Sequence, residues 1–144
     1  MFKIIIIAGE HSGDILGSKV MQSLKNFSNE EILFEGVGGP LMRGEGLIKS
    51  IIPFKDLSVM GLFEILPKIP KFIYYLNYLT NYIISIDPDI LITIDSPDFN
   101  FRLAKKLKNT KFLKFHIVAP TVWAWRPGRA KKISNYYNHI FTLL

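Results

Sequence analysis

The stretch DPDILITIDSPDFN, Asp87 to Asn100, decides the fold. Its apolar centre, Ile90 to Ile94, is a short unbroken run bounded by turn residues, which predicts a strand covered on both faces. The run delivers the carboxylate of Asp95 to its carboxyl end. A turn follows at Ser96 and Pro97, and a helix is expected to open at Asp98. In an open α/β sheet, ligands bind outside the carboxyl ends of the strands, so Asp95 stands where chemistry is usually done. Two readings of it stand side by side: a cap for the following helix, or a general base toward a hydroxyl. Asp98 directly precedes the helical stretch and is the better cap, which leaves Asp95 freer for chemistry.

Outward from this segment, the same strand and helix signals alternate. Lys3 to Ala8 is a continuous β-branched run, Gly9 to Gly13 is a glycine turn, and Asp14 to Phe27 carries apolar residues at helical spacing, capped by Ser12 or Asp14. A second strand is expected over Ile32 to Val37, then a short helix from Pro40 to Glu45 and a strand over Leu47 to Ile52. Asp56 to Leu66 and Lys71 to Ser85 read as helices punctuated by Pro67 and Pro70. Beyond the central segment come a helix to Lys108, a strand from Phe112 to Val118, a helix from Gly128 to Tyr137 and a last apolar run, Ile140 to Leu144. This alternation predicts an α/β fold with a Rossmann-like, doubly wound parallel sheet.

Composition narrows the function. At 144 residues the chain is one domain by length, and its 49% hydrophobic content exceeds what a core of that size needs. It has no cysteine, so disulfide and thiolate metal sites are excluded. The first apolar run is shorter than a signal-peptide h-region. The longest uncharged stretch, Phe72 to Ile86, falls short of the ~20 apolar residues of a spanning helix. The net charge of +6 is scattered rather than interleaved with aromatics, so no nucleic-acid partner is expected; anionic lipid or a phosphorylated small molecule fits it as well.

The glycine turn fits neither GxGxxG nor a Walker loop, and Glu10 and Asp14 flanking it repel a pyrophosphate, which favours a neutral sugar or lipid group. His11 is the histidine placed at the crevice, whereas His116 and His139 read as core or edge residues. No second histidine lies near His11 in sequence, so no metal is expected. Met60 to Leu66 and Phe72 to Ile84 fit either core packing with a partner interface or a membrane-facing patch rimmed by Lys68 and Lys71. Trp123, Trp125, Arg126, Arg129, Lys131 and Lys132 form an aromatic and basic cluster suited to a lipid headgroup or sugar phosphate.

Taken together, four segments resemble the lipid-A-disaccharide synthase family: AGEHSGDILG, GVGGPLM with EGL, LSVMGLFEILPKIPK, and IDSPDFN with VAPTVWAWRPGRAKKI. The resemblance spans the chain in the right order. It implies a GT-B architecture of two Rossmann-like domains, of which residues 1–144 are the amino-terminal, acceptor-side domain, with the carboxyl-terminal UDP-binding domain expected to lie outside this chain. It implies an inverting glycosyltransferase of lipid A biosynthesis. The family moves 2,3-diacylglucosamine from UDP-2,3-diacylglucosamine to the 6'-hydroxyl of 2,3-diacylglucosamine 1-phosphate (lipid X), giving the β-1,6 disaccharide and UDP without cofactor or metal. The location it implies is peripheral, on the cytoplasmic face of the inner membrane of a Gram-negative bacterium, with a separate carboxyl-terminal domain or a homo-oligomer as partner.

Residue by residue, the resemblance assigns the essential carboxylate to Asp95. It makes Glu10 an active-site residue as well, and on this reading Gly13, Asp14, Asp98, Asn100, Trp123, Arg126 and Arg129 are expected to contact substrate, with Arg126 or Arg129 meeting phosphate. It assigns membrane contact to Val59, Met60, Leu62, Phe63, Ile65, Leu66 and Ile69. His11 falls on a variable position of its motif. Ser96 falls where alanine is common, so its replacement is expected to be neutral. The rival reading is a membrane-associated half-enzyme that holds the acceptor lipid, or an inactive gene fragment. A third is an unrelated flavodoxin-like nucleotide-binding protein.

Overall fold

The computed structural model describes residues 1–60, 70–118 and 134–142. In Phe2–Ala8 (β1) successive side chains alternate between two buried clusters: Ile5 and Ile7 enter one, Ile4, Ile6 and Ala8 the other. A strand buried on both faces needs no polar alternation, and its sequence has none. Ile32–Val37 (β2) and Ile90–Ile94 (β3) divide in the same way, Val37 and Leu91 against Phe34, Ile92 and Ile94. Leu113–Val118 (β4) and His139–Thr142 (β5) complete a five-stranded sheet of order β2-β1-β3-β4-β5, every pair parallel. This is the expected doubly wound α/β sheet. The order of its strands reverses between β1 and β3, the switch point where such sheets open a crevice.

One face is covered by His11–Phe27 (α1), whose Met21 is fully buried, and by Pro40–Gly44 (α2) with Met42. The other is covered by Phe54–Met60 (α3), Pro70–Ile86 (α4) and Pro97–Lys106 (α5). In α4 the residues Phe72, Tyr75, Leu76, Leu79 and Ile83 recur at helical spacing and form the core face. Ile73, Tyr74, Tyr78 and Ile84 are exposed on the opposite side. α3 and α4 are tied where the Tyr75 hydroxyl donates to Asp56 at 2.5 Å and Lys71 pairs with the same carboxylate at 3.0 Å. Among the described residues no helix is long and apolar enough to cross a membrane.

Three expectations are corrected. α1 begins at His11 rather than Asp14, so Ser12 and Asp14 lie inside it, and Glu10 holds the N-cap position without a side-chain cap bond. The Asp14 carboxylate instead accepts the backbone N–H groups of Gly39, Leu41 and Met42 at 2.9 to 3.1 Å, capping α2 from a neighbouring helix. The apolar run Leu47 to Ile52 is not a strand. Leu47 is buried in the α1 cluster and Ile52 in the α4 cluster, so the segment passes from one face of the sheet to the other. Ser50 competes for its backbone groups, donating to Ile52 O at 2.5 Å and accepting from Gly38 N at 3.2 Å. Of the helix expected over 128–137, residues 134–136 form a turn and 128–133 lie outside the described residues.

Among the described residues, Gly36 is the one strand position where only glycine fits. Its φ is +145°, and a Cβ there would stand 1.9 Å from the carbonyl oxygen of Ile6, its partner in β1.

Candidate functional site

Ala8, the last residue of β1, is the cross-strand partner of Ile94, the last of β3. Chain geometry therefore brings Glu10, two residues beyond one end, and Asp95, one residue beyond the other, to the same edge at the switch point. Glu10 is half-buried at the start of α1. Burial pushes its carboxyl above the ordinary value of 4.5, the negative charge of Asp95 pushes it further, and a hydrogen bond with Ser96 partly offsets both.

Asp95 and Ser96 both adopt the left-handed backbone region, with φ of 49° and 43°. Asp tolerates it, whereas consecutive residues there are uncommon, and such geometry persists only where the surroundings impose it. Four hydrogen bonds do so. Asp95 N donates to Ile117 O at 3.0 Å, extending the β3 ladder, and Asn100 N donates to Ser96 O at 2.9 Å. The Asn100 side-chain amide donates to Asp95 O at 2.8 Å and to Ile94 O at 3.2 Å. Asn100 is fully buried and holds the turn from behind through its side-chain amide. Beneath it, a Cβ on Gly9 would come within 2.7 Å of Ser96 Oγ, so glycine there lets the two loops close on each other.

A cleft of about 50 Å³ opens beside this turn. Glu10, Ser96 and Asp98 give it a polar wall, and Leu57, Met60, Phe72, Pro97 and Phe99 an apolar one. Asp95 does not line it, but Glu10 and Ser96, its neighbours in space and in sequence, do. The cleft thus has one acidic and one apolar side.

The remaining site expectations fall as follows. Asp98 is exposed in the first turn of α5 and lines the cleft; it is not the cap, because the helix opens one residue earlier with Pro97 at N1. Gly13 is buried in α1, where a Cβ would stand 3.2 Å from that of Ala8, so it serves the seating of the helix on β1. Asp14 is 3% exposed, and its carboxylate is committed to α2. Val59 is exposed, whereas Met60 is buried in the core and on the cleft wall. Leu62, Phe63, Ile65, Leu66, Ile69, Trp123, Arg126 and Arg129 lie outside the described residues. His11 is exposed, its ring edge-on to Phe54.

His116 is a core histidine, as its strand position predicts: it is 1% exposed, and burial pulls its pKa from 6.5 to about 4. Its Nδ1 lies 2.6 Å from Thr93 Oγ1, which is 2.8 Å from the Tyr137 hydroxyl. Sequence reading missed Thr93 and Tyr137, and it missed the contact of Ser96 with Glu10. The available signal was Thr93 itself, the one polar residue in the otherwise aliphatic ILITI strand, since a buried hydroxyl requires a partner.

Comparison with known proteins gives a consistent picture. A family model described as lipid-A-disaccharide synthetase matches residues 4–144. The lipid-A-disaccharide synthase of Rhodospirillum centenum is 43% identical over 143 residues, covering 98% of this chain and 35% of that protein. Those of Idiomarina loihiensis and Ruegeria pomeroyi are 44% and 43% identical, over 99% and 100% of this chain and 37% and 36% of theirs. The chain thus spans about a third of the length of the curated relatives it matches.

Proposed function

The chain belongs to the lipid-A-disaccharide synthetase family, and on that premise we propose that it is the amino-terminal, acceptor-side domain of an inverting GT-B glycosyltransferase of lipid A biosynthesis. The observation that carries the reading is the pair of carboxylates at the switch point, Glu10 held toward its protonated form and Asp95 beside it on a strained, hydrogen-bonded turn. Asp95 is the general base. It takes the proton of the acceptor 6'-hydroxyl as that oxygen bonds to the anomeric carbon of the donor sugar. The bond from that carbon to the diphosphate oxygen breaks, and UDP leaves with the electron pair. Glu10 and Asp98 meet sugar hydroxyls, while Leu57, Met60 and Phe72 take the acyl side of lipid X. Arg126 or Arg129 meets phosphate, and the Val59 to Ile69 stretch rests on the cytoplasmic face of the inner membrane.

The test is disaccharide formation by the purified chain from UDP-2,3-diacylglucosamine and lipid X in detergent, beside an Asp95→Ala control. Transfer that the control loses supports the assignment. Near-normal transfer by a folded Asp95→Ala protein overturns it. A second reading is favoured by the chain's spanning a third of its relatives: an acceptor-binding unit that transfers only in company with the remaining two thirds. Transfer restored by supplying the relatives' remaining portion in trans selects that reading.

A further inference from the structure

Behind the Asp95 turn, three contacts among four residues require three protons. Thr93 Oγ1 lies 2.6 Å from His116 Nδ1 and 2.8 Å from the Tyr137 hydroxyl, which lies 3.2 Å from the carbonyl oxygen of Asn100. A carbonyl only accepts, so the Tyr137 proton goes to Asn100. Tyr137 has no second proton, so Thr93 donates to the phenol oxygen. Thr93 has then spent its own, so His116 Nδ1 must carry a proton and donate it to Thr93. The opposite order, from Tyr137 through Thr93 to His116, supplies two protons for three contacts and leaves two oxygens facing each other without one. All four residues are buried, so no solvent proton substitutes.

We propose that His116, held as the Nδ1–H tautomer, Thr93 and Tyr137 form a one-directional hydrogen-bond chain that positions Asn100 and, through it, the left-handed turn carrying Asp95. His116 is neutral at pH 7, because burial lowers its pKa to about 4, so one ring nitrogen carries the proton and the chain decides which. At the other end the Asn100 amide holds Asp95 O and Ile94 O. Tyr137 comes from the segment leading into β5, far along the chain, so packing of that edge of the sheet is coupled to the backbone of the site. Tyr137 and Asn100 are positioning residues. Their bearing on chemistry rests on the reading of Asp95 as the base; the order of the protons does not.

The experiment is long-range proton–nitrogen correlation of the full chain carrying nitrogen-15 histidine at pH 7. The expected result is His116 protonated on Nδ1 with Nε2 as the pyridine-type nitrogen. A His116 protonated on Nε2, or on both nitrogens, overturns the proposal. In Tyr137→Phe the Thr93 proton loses its acceptor and turns to Nδ1, so His116 is expected to shift to the Nε2–H form, with displaced backbone amide resonances of Asp95 and Ser96. An unchanged tautomer or unmoved amides overturns the positioning role. Thr93→Val, which removes the relay oxygen at nearly constant shape, provides the same readout if the Tyr137 variant does not fold. Neither spectrum depends on sugar transfer. Failure of the glycosyltransferase reading leaves these results standing, and their failure leaves that reading standing.

Discussion

Glu10 and Asp95 follow the paired ends of β1 and β3, and the carboxyl of Glu10, raised first by burial, is raised further by the charge of Asp95. A like charge nearby disfavours ionisation of a carboxyl, so the proton affinity of Glu10 rises above that of a free carboxylate. The arrangement follows from topology: Ala8 and Ile94 are in register, and each chain continues only a residue or two before its acid. Consequences for activity and stability can be separated by choice of substituent.

Asp95→Asn isolates the charge from the backbone. Asparagine tolerates the left-handed region as well as aspartate does, so the turn is kept and the thermal midpoint is expected to stay within a few degrees of the parent. On the proposed reading of Asp95 as the base, its loss is expected to lower transfer by about 10²- to 10⁴-fold. Asp95→Ala adds the cost of placing a Cβ residue without a local hydrogen bond at φ of 49°, about 1 kcal/mol, so it should be less stable than Asp95→Asn. Denaturant titration of both variants beside the transfer assay checks the two expectations.

Glu10→Gln is expected to raise stability at neutral pH. The folded chain holds the Glu10 proton to a higher pH than the unfolded chain, so the native state binds more protons in the window above 4.5, and stability is lost as pH rises through it. Removing the titration removes that loss. The Tm of Glu10→Gln should exceed that of the parent at pH 7, and the gain should vanish below about pH 4.5. A gain of equal size at both pH values would point to packing instead of charge.

The parts of this fold that were legible in sequence share one cause. β3 is recovered to the residue because an aliphatic run bounded by aspartates has few alternatives in a doubly covered sheet, and β2 because its run ends at Gly38, Gly39 and Pro40, which cannot continue it. Leu47 to Ile52 also carries strand-forming aliphatic residues but crosses the sheet edge, and only the positions of two separate cores reveal that. The start of α1 is hidden in sequence because Ser12 and Asp14 resemble local caps, whereas the groups that Asp14 satisfies lie on another helix. At the site, the placement of Asp95 at a strand end was readable from the pattern. Its left-handed backbone, and the bonds by which Asn100 braces that turn, depend on contacts that no spacing rule encodes.

Ser96→Ala will not be neutral, contrary to what the resemblance implies. The Ser96 hydroxyl hydrogen-bonds Glu10 and restrains the rise in its pKa. Its loss leaves burial and Asp95 unopposed, so the Glu10 midpoint should move up when followed by carbon-13 carboxyl shifts across pH 3 to 8. An unmoved midpoint would show that the hydroxyl has no hold on the carboxylate.

Asp14→Ala is expected to cost stability rather than ligand affinity. It strips the partners from the backbone N–H groups of Gly39, Leu41 and Met42, two of these bonds being buried. Unsatisfied buried donors cost about 1–3 kcal/mol each, and relaxation of so short a helix as α2 recovers part of it. Chemical denaturation should show a loss of about 2 kcal/mol or more. Weakened binding of lipid X with unchanged stability would return Asp14 to the substrate site.

Acid should destabilise the chain through His116, with a sign opposite to that of Glu10. The folded pKa of His116 is depressed from 6.5 to about 4, so the unfolded state binds the proton first on acidification. Stability contributed by the neutral buried ring is present above pH 6.5 and is lost as pH falls toward 4, by about 3 kcal/mol in all. Over the same range protonation of Glu10 works in favour of the folded state, so the parent protein shows only the difference between the two slopes. Glu10→Gln removes the opposing term and should therefore steepen the loss between pH 6.5 and 4. A parent and a Glu10→Gln variant with superimposable stability profiles would contradict the Glu10 assignment, and a Glu10→Gln variant that loses no stability between pH 6.5 and 4 would contradict that of His116. A variant that is steeper in acid and more stable at pH 7 is the outcome that the two buried groups together require.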